Sequence, residues 1–404
     1  MKNKLIILSL FLYILFYCLD YYFRISPSLI FTQLLHQYHT SALGMGAFAS
    51  AFYLGYLFMQ IPVGILLDRP YYRFVIIASI VLCSLAFIVF IISGQYWLGY
   101  LLRWVIGGAS AFSFICVLHV TRRHLDPKWF GTISGITIAA GTLTASFLQL
   151  GSAFLMQHFT WHHVFISIAA SGLVLALLLL LLTSSTPGNM PIENTSQGMS
   201  WFKQVRTFSC QPLLLINGAV GGLFYLPTTL FATMWGIPFL KQTYHMSATQ
   251  GSFGITLLFL GWAIGSPLIG FVMDRVKSYL RISLWCAILA TVVSIVIVTG
   301  VFKTVSMIWL LLLLFGLFSS AQVIVWKYFS NHCPKAISGY GTAFTNMLIL
   351  LFAALFHVVV GYFAEGSGSH HALDYQQGLI IMPIAFGAVI VLTIVMIVMQ
   401  KNKS

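Results

Sequence analysis

The chain has 404 residues, of which 59% are hydrophobic and only 7% are charged. Soluble domains carry about 25% charged residues, so this composition excludes an ordinary soluble protein and indicates that lipid surrounds most of the chain. The formal net charge of +13 would fit a nucleic-acid-binding protein. Membrane proteins, however, collect Lys and Arg in their cytoplasmic loops, and we predict no nucleic-acid partner.

Apolar runs follow one another along the whole chain, and each approaches the ~20 residues that a membrane-spanning helix needs. They predict an all-α membrane protein with twelve spanning helices. No small-residue cleavage site follows the first run, so we interpret it as a spanning helix and not as a signal peptide. The predicted spans are 5–25, 43–67, 74–94, 97–120, 131–154, 162–184, 211–236, 248–273, 280–301, 305–328, 340–363 and 377–399.

Lysine and arginine are distributed unevenly between the loops. The loops after even-numbered spans carry clusters such as Arg69 and Arg73, whereas the opposite loops contain only Lys241 and Lys303. Because Lys and Arg favour the cytoplasmic side of a membrane, this asymmetry predicts that both termini are cytoplasmic.

A polar segment near the middle of the chain contains Pro187 and Pro191 and has the composition of a linker. We therefore predict an N-terminal six-helix half over 1–185, a cytoplasmic linker over 186–210 and a C-terminal six-helix half over 211–404.

The two halves share an internal repeat. Residues 53–69 read YLGYLFMQIPVGILLDR and residues 259–275 read FLGWAIGSPLIGFVMDR, at a constant offset of 206 residues. Repeated halves are a known construction of secondary transporters, in which the substrate site lies near the middle of the membrane.

Each repeat ends in the pattern GxxxDR, which resembles the signature loop of the major facilitator superfamily (MFS). Tyr71 and Lys277 stand where that family usually has a glycine, and Arg103 and Gly107 resemble its motif in the fourth span. The resemblance implies an MFS fold of two pseudo-symmetric six-helix bundles, alternating access and a gating role for the loop. The implied gating residues are Gly64, Asp68, Arg69, Arg73, Gly270, Asp274 and Arg275.

Three stretches also look like the nutrient transporters of intracellular proteobacteria, a group that includes the phagosomal amino-acid transporters. They are RISPSL at 24–29, AFYLGYLFMQIPVGILLDR at 51–69 and PTTLFATMWGIPFL at 227–240. This resemblance implies a bacterial inner (cytoplasmic) membrane and an amino acid as substrate.

Asp20 is the one acidic residue that falls inside a predicted span, and Arg24 follows it on the same helix face. An intramembrane carboxylate is a candidate functional group by default. Asp20 and Arg24 could carry and regulate a coupled proton, or they could form a structural ion pair. For Arg103, the family motif implies a role in proton coupling, and interhelical hydrogen bonding is the alternative.

Other polar and aromatic side chains in the spans are candidates for substrate contact. Such residues also serve as hydrogen-bonding groups between helices, and His119 and His357 could carry protons because histidine titrates near neutral pH. The predicted substrate-binding residues are Tyr21, His119, Gln149, Asn217, Tyr225, Trp235, Asn346 and His357.

The sequence predicts no cofactor. The phosphate-binding pattern GxxxxGK[ST] is absent. Two pairs of adjacent histidines, His162-His163 and His370-His371, lack an evident acidic or thiol partner, so we predict no metal site.

Together these features predict a transporter and not an enzyme: a monomeric, proton-coupled carrier of a small polar metabolite, such as an amino acid, in the lipid bilayer. Uptake or efflux of a drug-like compound or siderophore is one alternative, because direction is not encoded in these residues. A non-transporting membrane sensor is another, and it would tolerate loss of Asp20 and Arg24.

Overall fold

The computed structural model describes residues 2–67, 69–125, 130–182, 211–276, 278–333, 338–365 and 374–401, and these are almost entirely helical. The predicted linker 186–210 lies outside the described residues. Among the described residues, twelve spans are long and apolar enough to cross a membrane, which confirms the predicted number. They are α1 Leu5–Gln37, α2 Ala42–Leu67, α3 Tyr72–Ile92, α4 Tyr96–Thr121, α5 Ile133–Leu155, α6 Trp161–Leu182, α7 Pro212–Tyr244, α8 Ala248–Met273, α9 Tyr279–Thr299, α10 Val305–His332, α11 Gly341–Ala364 and α12 Tyr375–Lys401.

The chain forms two compact units, Met1–Pro191 and Ile192–Ser404. The N-terminal unit contains α1–α6, and the C-terminal unit contains α7–α12. Large apolar side chains such as Leu181 and Trp285 are exposed along the spans. This is the arrangement that contact with lipid requires, since lipid chains are as apolar as the side chains that face them.

The first span of each unit changes helix type along its length, and each is 33 residues long. In α1, the α-helix Lys2–Ile25 gives way to a 3₁₀ turn at Ser26–Ile30 before Phe31–Gln37 resumes the α-helix. In α7, a π-helix at Pro227–Trp235 separates Pro212–Leu226 from Gly236–Tyr244. Both spans therefore extend beyond their predicted ends at residues 25 and 236, because the chain changes helix type there without leaving the helical path.

The fourth span of each unit is also interrupted. The α-helices Tyr96–Ser110 and Phe112–His124 meet at Ala111 in α4, and the 3₁₀ turn Ser320–Gln322 lies within α10. Interrupted helices free backbone groups from the regular hydrogen-bond pattern, and in secondary transporters such helices form the substrate and ion sites.

Glycines bring two helix pairs into backbone contact, one pair in each unit. A Cβ atom on Gly55 or Gly107 would overlap a carbonyl oxygen across the contact between α2 and α4. The same holds for Gly261 and Gly316 between α8 and α10. The offset of 206 residues between Gly55 and Gly261 therefore reflects one packing arrangement used twice.

Candidate functional site

A buried ion pair lies just before the break in α1. The Arg24 guanidinium lies 3.1 Å from the Asp20 carboxylate, with the aspartate fully buried and the arginine 6% exposed. Ser113, at the start of the second part of α4, donates a hydrogen bond to the same carboxylate oxygen at 3.1 Å. The spacing of four residues places both charged groups on one helix face, and burial makes each depend on the other.

Aromatic rings surround the Arg24 guanidinium. Its central carbon lies 4.8 Å from the ring centroid of Tyr21, 5.4 Å from that of Phe52 and 5.6 Å from that of Tyr56. Desolvated arginine over aromatic faces gains cation–π stabilisation. Arg24 is therefore held by one carboxylate and by aromatic rings from α1 and α2.

Arg103 supports the broken end of α1. Its guanidinium donates hydrogen bonds to the carbonyl oxygens of Phe23, at 2.6 Å, and Arg24, at 3.4 Å. These carbonyls belong to the last turn of the helix ending at Ile25, where the backbone carries partial negative charge and lacks regular partners. Arg103 also lies 4.9 Å from the Phe52 centroid, so the same ring faces both arginines.

Within the part of the chain that the structure describes, the buried charged side chains are Asp20, Arg24 and Arg103. All three lie in the N-terminal unit. Two cations therefore accompany one anion in a region of low dielectric, where an opposite charge is most strongly attracted.

In the C-terminal unit, hydrogen bonds of His357 connect α11 to the first span of the unit, α7. The indole of Trp235 donates a hydrogen bond to His357 Nδ1 at 3.1 Å, and His357 Nε2 lies 2.9 Å from the Thr229 carbonyl oxygen. The Trp235 and His357 side chains are fully buried. Asn217, nearer the start of α7, donates to the Val325 carbonyl of α10 at 3.0 Å.

The remaining predicted substrate residues do not form one cluster. Gln149 is fully buried and donates to Ser28 Oγ at 2.9 Å, and the His119 ring lies 5.2 Å from the ring of Tyr72. Tyr225 and Asn346 are half-buried, the former beside Trp262.

The described gating residues contact helix ends and a ring. Arg73 donates to the carbonyl oxygens of Leu179 and Leu180 at the end of α6, at 3.0 and 2.6 Å. Arg275 donates to the Phe271 carbonyl oxygen at 3.3 Å and lies over the Phe271 ring. Arg275 and Arg69 are both exposed.

The remaining predicted gating residues are two glycines and two aspartates. A Cβ on Gly64 or Gly270 would meet no atom within 4 Å. Asp68 lies outside the described residues, as does the side chain of Asp274.

Sequence reasoning missed the groups that complete the charged cluster, namely Ser113, Phe52 and Tyr56. None of them carries a charge, and although Phe52 and Tyr56 fall in the stretch 51–69, nothing in that pattern singles them out as partners of Arg24. A break in α4 at Ala111 would have been the signal for Ser113, and the Gly107-Gly108 dipeptide before it is the local feature that could have indicated that break.

Comparison with known proteins decides the family. The family model of the Major Facilitator Superfamily matches residues 10–357. The chain belongs to this superfamily. The chain is 24% identical over 389 residues to the probable galactarate/D-glucarate transporter GudP of Bacillus subtilis (strain 168), covering 87% of this chain and 84% of that protein.

Solved structures of the superfamily share the fold. A bacterial homolog of the human lysosomal transporter Spinster, in an inward-facing and unoccupied conformation, matches with a TM-score of 0.79, 14% identity and 97% coverage of both chains. The nucleoside transporter NupG matches with a TM-score of 0.74 and 16% identity, over 98% of this chain and 99% of that one. A D-xylose-proton symporter matches with a TM-score of 0.72 and 14% identity, over 95% of this chain and 97% of that one.

The MFS resemblance in the signature loop is thereby confirmed, as is the fold of two pseudo-symmetric six-helix bundles. The protein is a multi-pass membrane transporter and not an enzyme.

Proposed function

We propose that this transporter couples proton entry to the movement of a small polar metabolite that carries a carboxylate, such as an amino acid. It does so by alternating access. The observation that supports this most directly is the buried cluster of Asp20, Arg24 and Arg103, with two cations for one anion.

Arg24 is the group suited to bind the substrate. Arg103 already donates to two carbonyl oxygens at a helix end, which supplies part of the negative charge that it needs. Arg24 is paired with the Asp20 carboxylate, which is a group that a proton can neutralise. A planar guanidinium is also well matched to a carboxylate, which it can bind through two parallel hydrogen bonds.

Asp20 is the group suited to carry the proton. When Asp20 is ionised, it competes with a substrate carboxylate for Arg24. Protonation removes that competitor and leaves a strong local excess of positive charge, so binding of an anion and binding of a proton favour each other. This reciprocity is what a symporter requires.

The Bacillus subtilis relative supports the substrate class. Its name gives galactarate and D-glucarate as its substrates, and both are sugar acids that carry carboxylates. Amino acids and sugar acids share this group, and the buried arginine cluster fits the shared group.

The experiment uses purified protein in proteoliposomes that contain a pH-sensitive dye. Amino acids, sugar acids, nucleosides and siderophores are added one at a time to wild type, to Asp20→Asn and to Asp374→Asn. The last variant is the matched control, because Asp374 is exposed and caps a helix, a role that asparagine also fills.

We expect a carboxylate compound to acidify the lumen with wild type and with the control, but not with Asp20→Asn. Acidification that persists in Asp20→Asn would overturn the role of Asp20. Acidification by an uncharged nucleoside alone would overturn the proposal that the substrate carries a carboxylate. If no compound acidifies the lumen, efflux or a non-transporting sensor would be favoured.

We further propose that the protein works as a monomer in a bacterial inner membrane, with both termini in the cytoplasm and with the signature loops acting as gates. The charge asymmetry of the loops supports this orientation. A C-terminal fusion to a reporter that is fluorescent only in the cytoplasm tests it, and a dark but expressed fusion would contradict it.

A further inference from the structure

The middle of α7 is unusual because it is a π-helix over nine residues, Pro227–Trp235. π-Helices are rare, and they occur frequently at functional sites. Every residue of this segment is buried. Proline at its start supplies no N–H, so the regular hydrogen-bond pattern is already broken where the segment begins.

Threonine hydroxyls satisfy part of the backbone in this segment. Thr228 and Thr229 both donate to the Tyr225 carbonyl oxygen at 2.9 Å, and Thr233 donates to the Thr229 carbonyl oxygen at 2.6 Å. Such local bonds from hydroxyl to backbone compete with regular helical bonds and bend helices. The segment is therefore held in shape by side chains as well as by its backbone.

His357 of α11 bonds to two separate points of the same segment. An indole N–H can only donate and a carbonyl oxygen can only accept, so the bonds to Trp235 and Thr229 fix the roles of the two imidazole nitrogens. Nδ1 must be unprotonated to accept from Trp235, and Nε2 must carry the proton that it donates to Thr229. The ring is therefore the neutral Nε2–H tautomer.

A charged ring does not fit this site. A proton on Nδ1 would point at the indole N–H, so that two donors would face each other. Protonation would thereby remove the hydrogen bond that Nδ1 accepts from Trp235.

We propose that His357 is a positioning residue: a neutral histidine that pins the π-helical segment of α7 to α11. Trp235 and Thr229 lie six residues apart along the segment, so one side chain bridges more than one of its turns. Rearrangement of the segment must then break both bonds together. This role differs from proton transport and from direct substrate contact.

The experiment compares three variants in the full-length protein. His357→Gln is the conservative one, because the glutamine amide can accept from Trp235 and donate to Thr229 but cannot titrate. His357→Leu removes both bonds, and Trp235→Phe removes only the indole donor while keeping an aromatic ring. Hydrogen exchange of the peptide covering 227–235 is measured without ligand, at two pH values, and the peptide covering α2 serves as the internal reference.

We expect hydrogen exchange of residues 227–235 to become roughly tenfold faster in His357→Leu, which loses two buried hydrogen bonds. The increase should be smaller in Trp235→Phe, which loses one. His357→Gln should restore the wild-type exchange at both pH values. The ¹⁵N spectrum should lose one Nε2–H histidine in His357→Gln. None of these readouts requires a substrate, so the proposal can fail independently of the proposed function.

Three results would overturn the proposal. One is unchanged exchange in His357→Leu, which would show that the two bonds do not hold the segment. Another is hydrogen exchange in His357→Gln that is as fast as in His357→Leu, together with exchange that depends on pH in the wild type alone. That result would indicate that the histidine carries a proton. The third is a ¹⁵N signal from a cationic ring at neutral pH.

Discussion

The first spans of the two units, α1 and α7, are equal in length and both lose regular α-helical geometry along the way. Their side chains at that point differ in kind. In α1, the break adjoins a charged cluster of Asp20, Arg24 and Arg103. In α7, the irregular segment is held by neutral hydrogen bonds from His357 and by threonine hydroxyls.

This difference shows that a repeated fold does not require repeated chemistry. A broken helix leaves backbone groups that need partners, and either a charged guanidinium or a neutral imidazole can supply them. Only the charged cluster beside α1 responds strongly to protonation, because it contains a carboxylate whose partner is another charge. Coupling is therefore expected in the N-terminal unit and mechanical positioning in the C-terminal unit.

The ion pair should give the largest effect on stability. We expect Arg24→Leu to lower the free energy of unfolding by about 3–5 kcal/mol, because it leaves Asp20 buried without its partner. The double variant Asp20→Leu/Arg24→Leu should lose much less, because neither member of the pair is left buried without the other. Titration with SDS in mixed micelles measures each value. In the C-terminal unit, His357→Leu should lower the free energy of unfolding by about 1–3 kcal/mol. An equal loss in Arg24→Leu and His357→Leu would contradict the difference between the units.

Glycine substitutions should show where the units are alike. Gly107→Ala and Gly316→Ala each place a Cβ against a backbone oxygen, and overpacking of this kind costs about 1–3 kcal/mol. The two losses should be similar, measured as thermal unfolding midpoints by tryptophan fluorescence. Gly135→Ala is the control, because no atom lies within 4 Å of the added methyl group. A loss confined to one unit would show that the two helix contacts are not equivalent.

Helix caps should give the smallest difference. Ser247 and Gln250 form a reciprocal capping box at the start of α8, whereas Ser41 accepts a hydrogen bond from the Gly44 N–H, at 3.2 Å, at the start of α2. We expect Ser247→Ala to lower the stability of the first turn of α8 by about 1 kcal/mol, and Ser41→Ala to lower that of α2 by about 0.5 kcal/mol. Hydrogen exchange in the first turn of each helix measures both, and a larger effect at Ser41 would contradict this order.

Much of the architecture could be predicted from the sequence because lipid imposes a simple constraint. A spanning segment must satisfy its own backbone and present apolar side chains, so the span number follows from hydropathy alone. The Asp20–Arg24 pair was also predictable, since helical geometry brings residues four apart onto one face. The repeat around Gly55 and Gly261 likewise predicted two related halves, because matching residues recur at one constant offset.

The partners of these residues required the tertiary structure. Arg103 was identified from its motif, but its hydrogen bonds to the Phe23 and Arg24 carbonyls depend on where α1 breaks. Trp235 and His357 were separate candidates for substrate contact, and they lie 122 residues apart in sequence. Hydropathy and helical periodicity describe one helix at a time, so they determine which segments enter the membrane. Which polar groups meet inside it is decided only when the helices pack, because each buried donor must then find an acceptor on another helix.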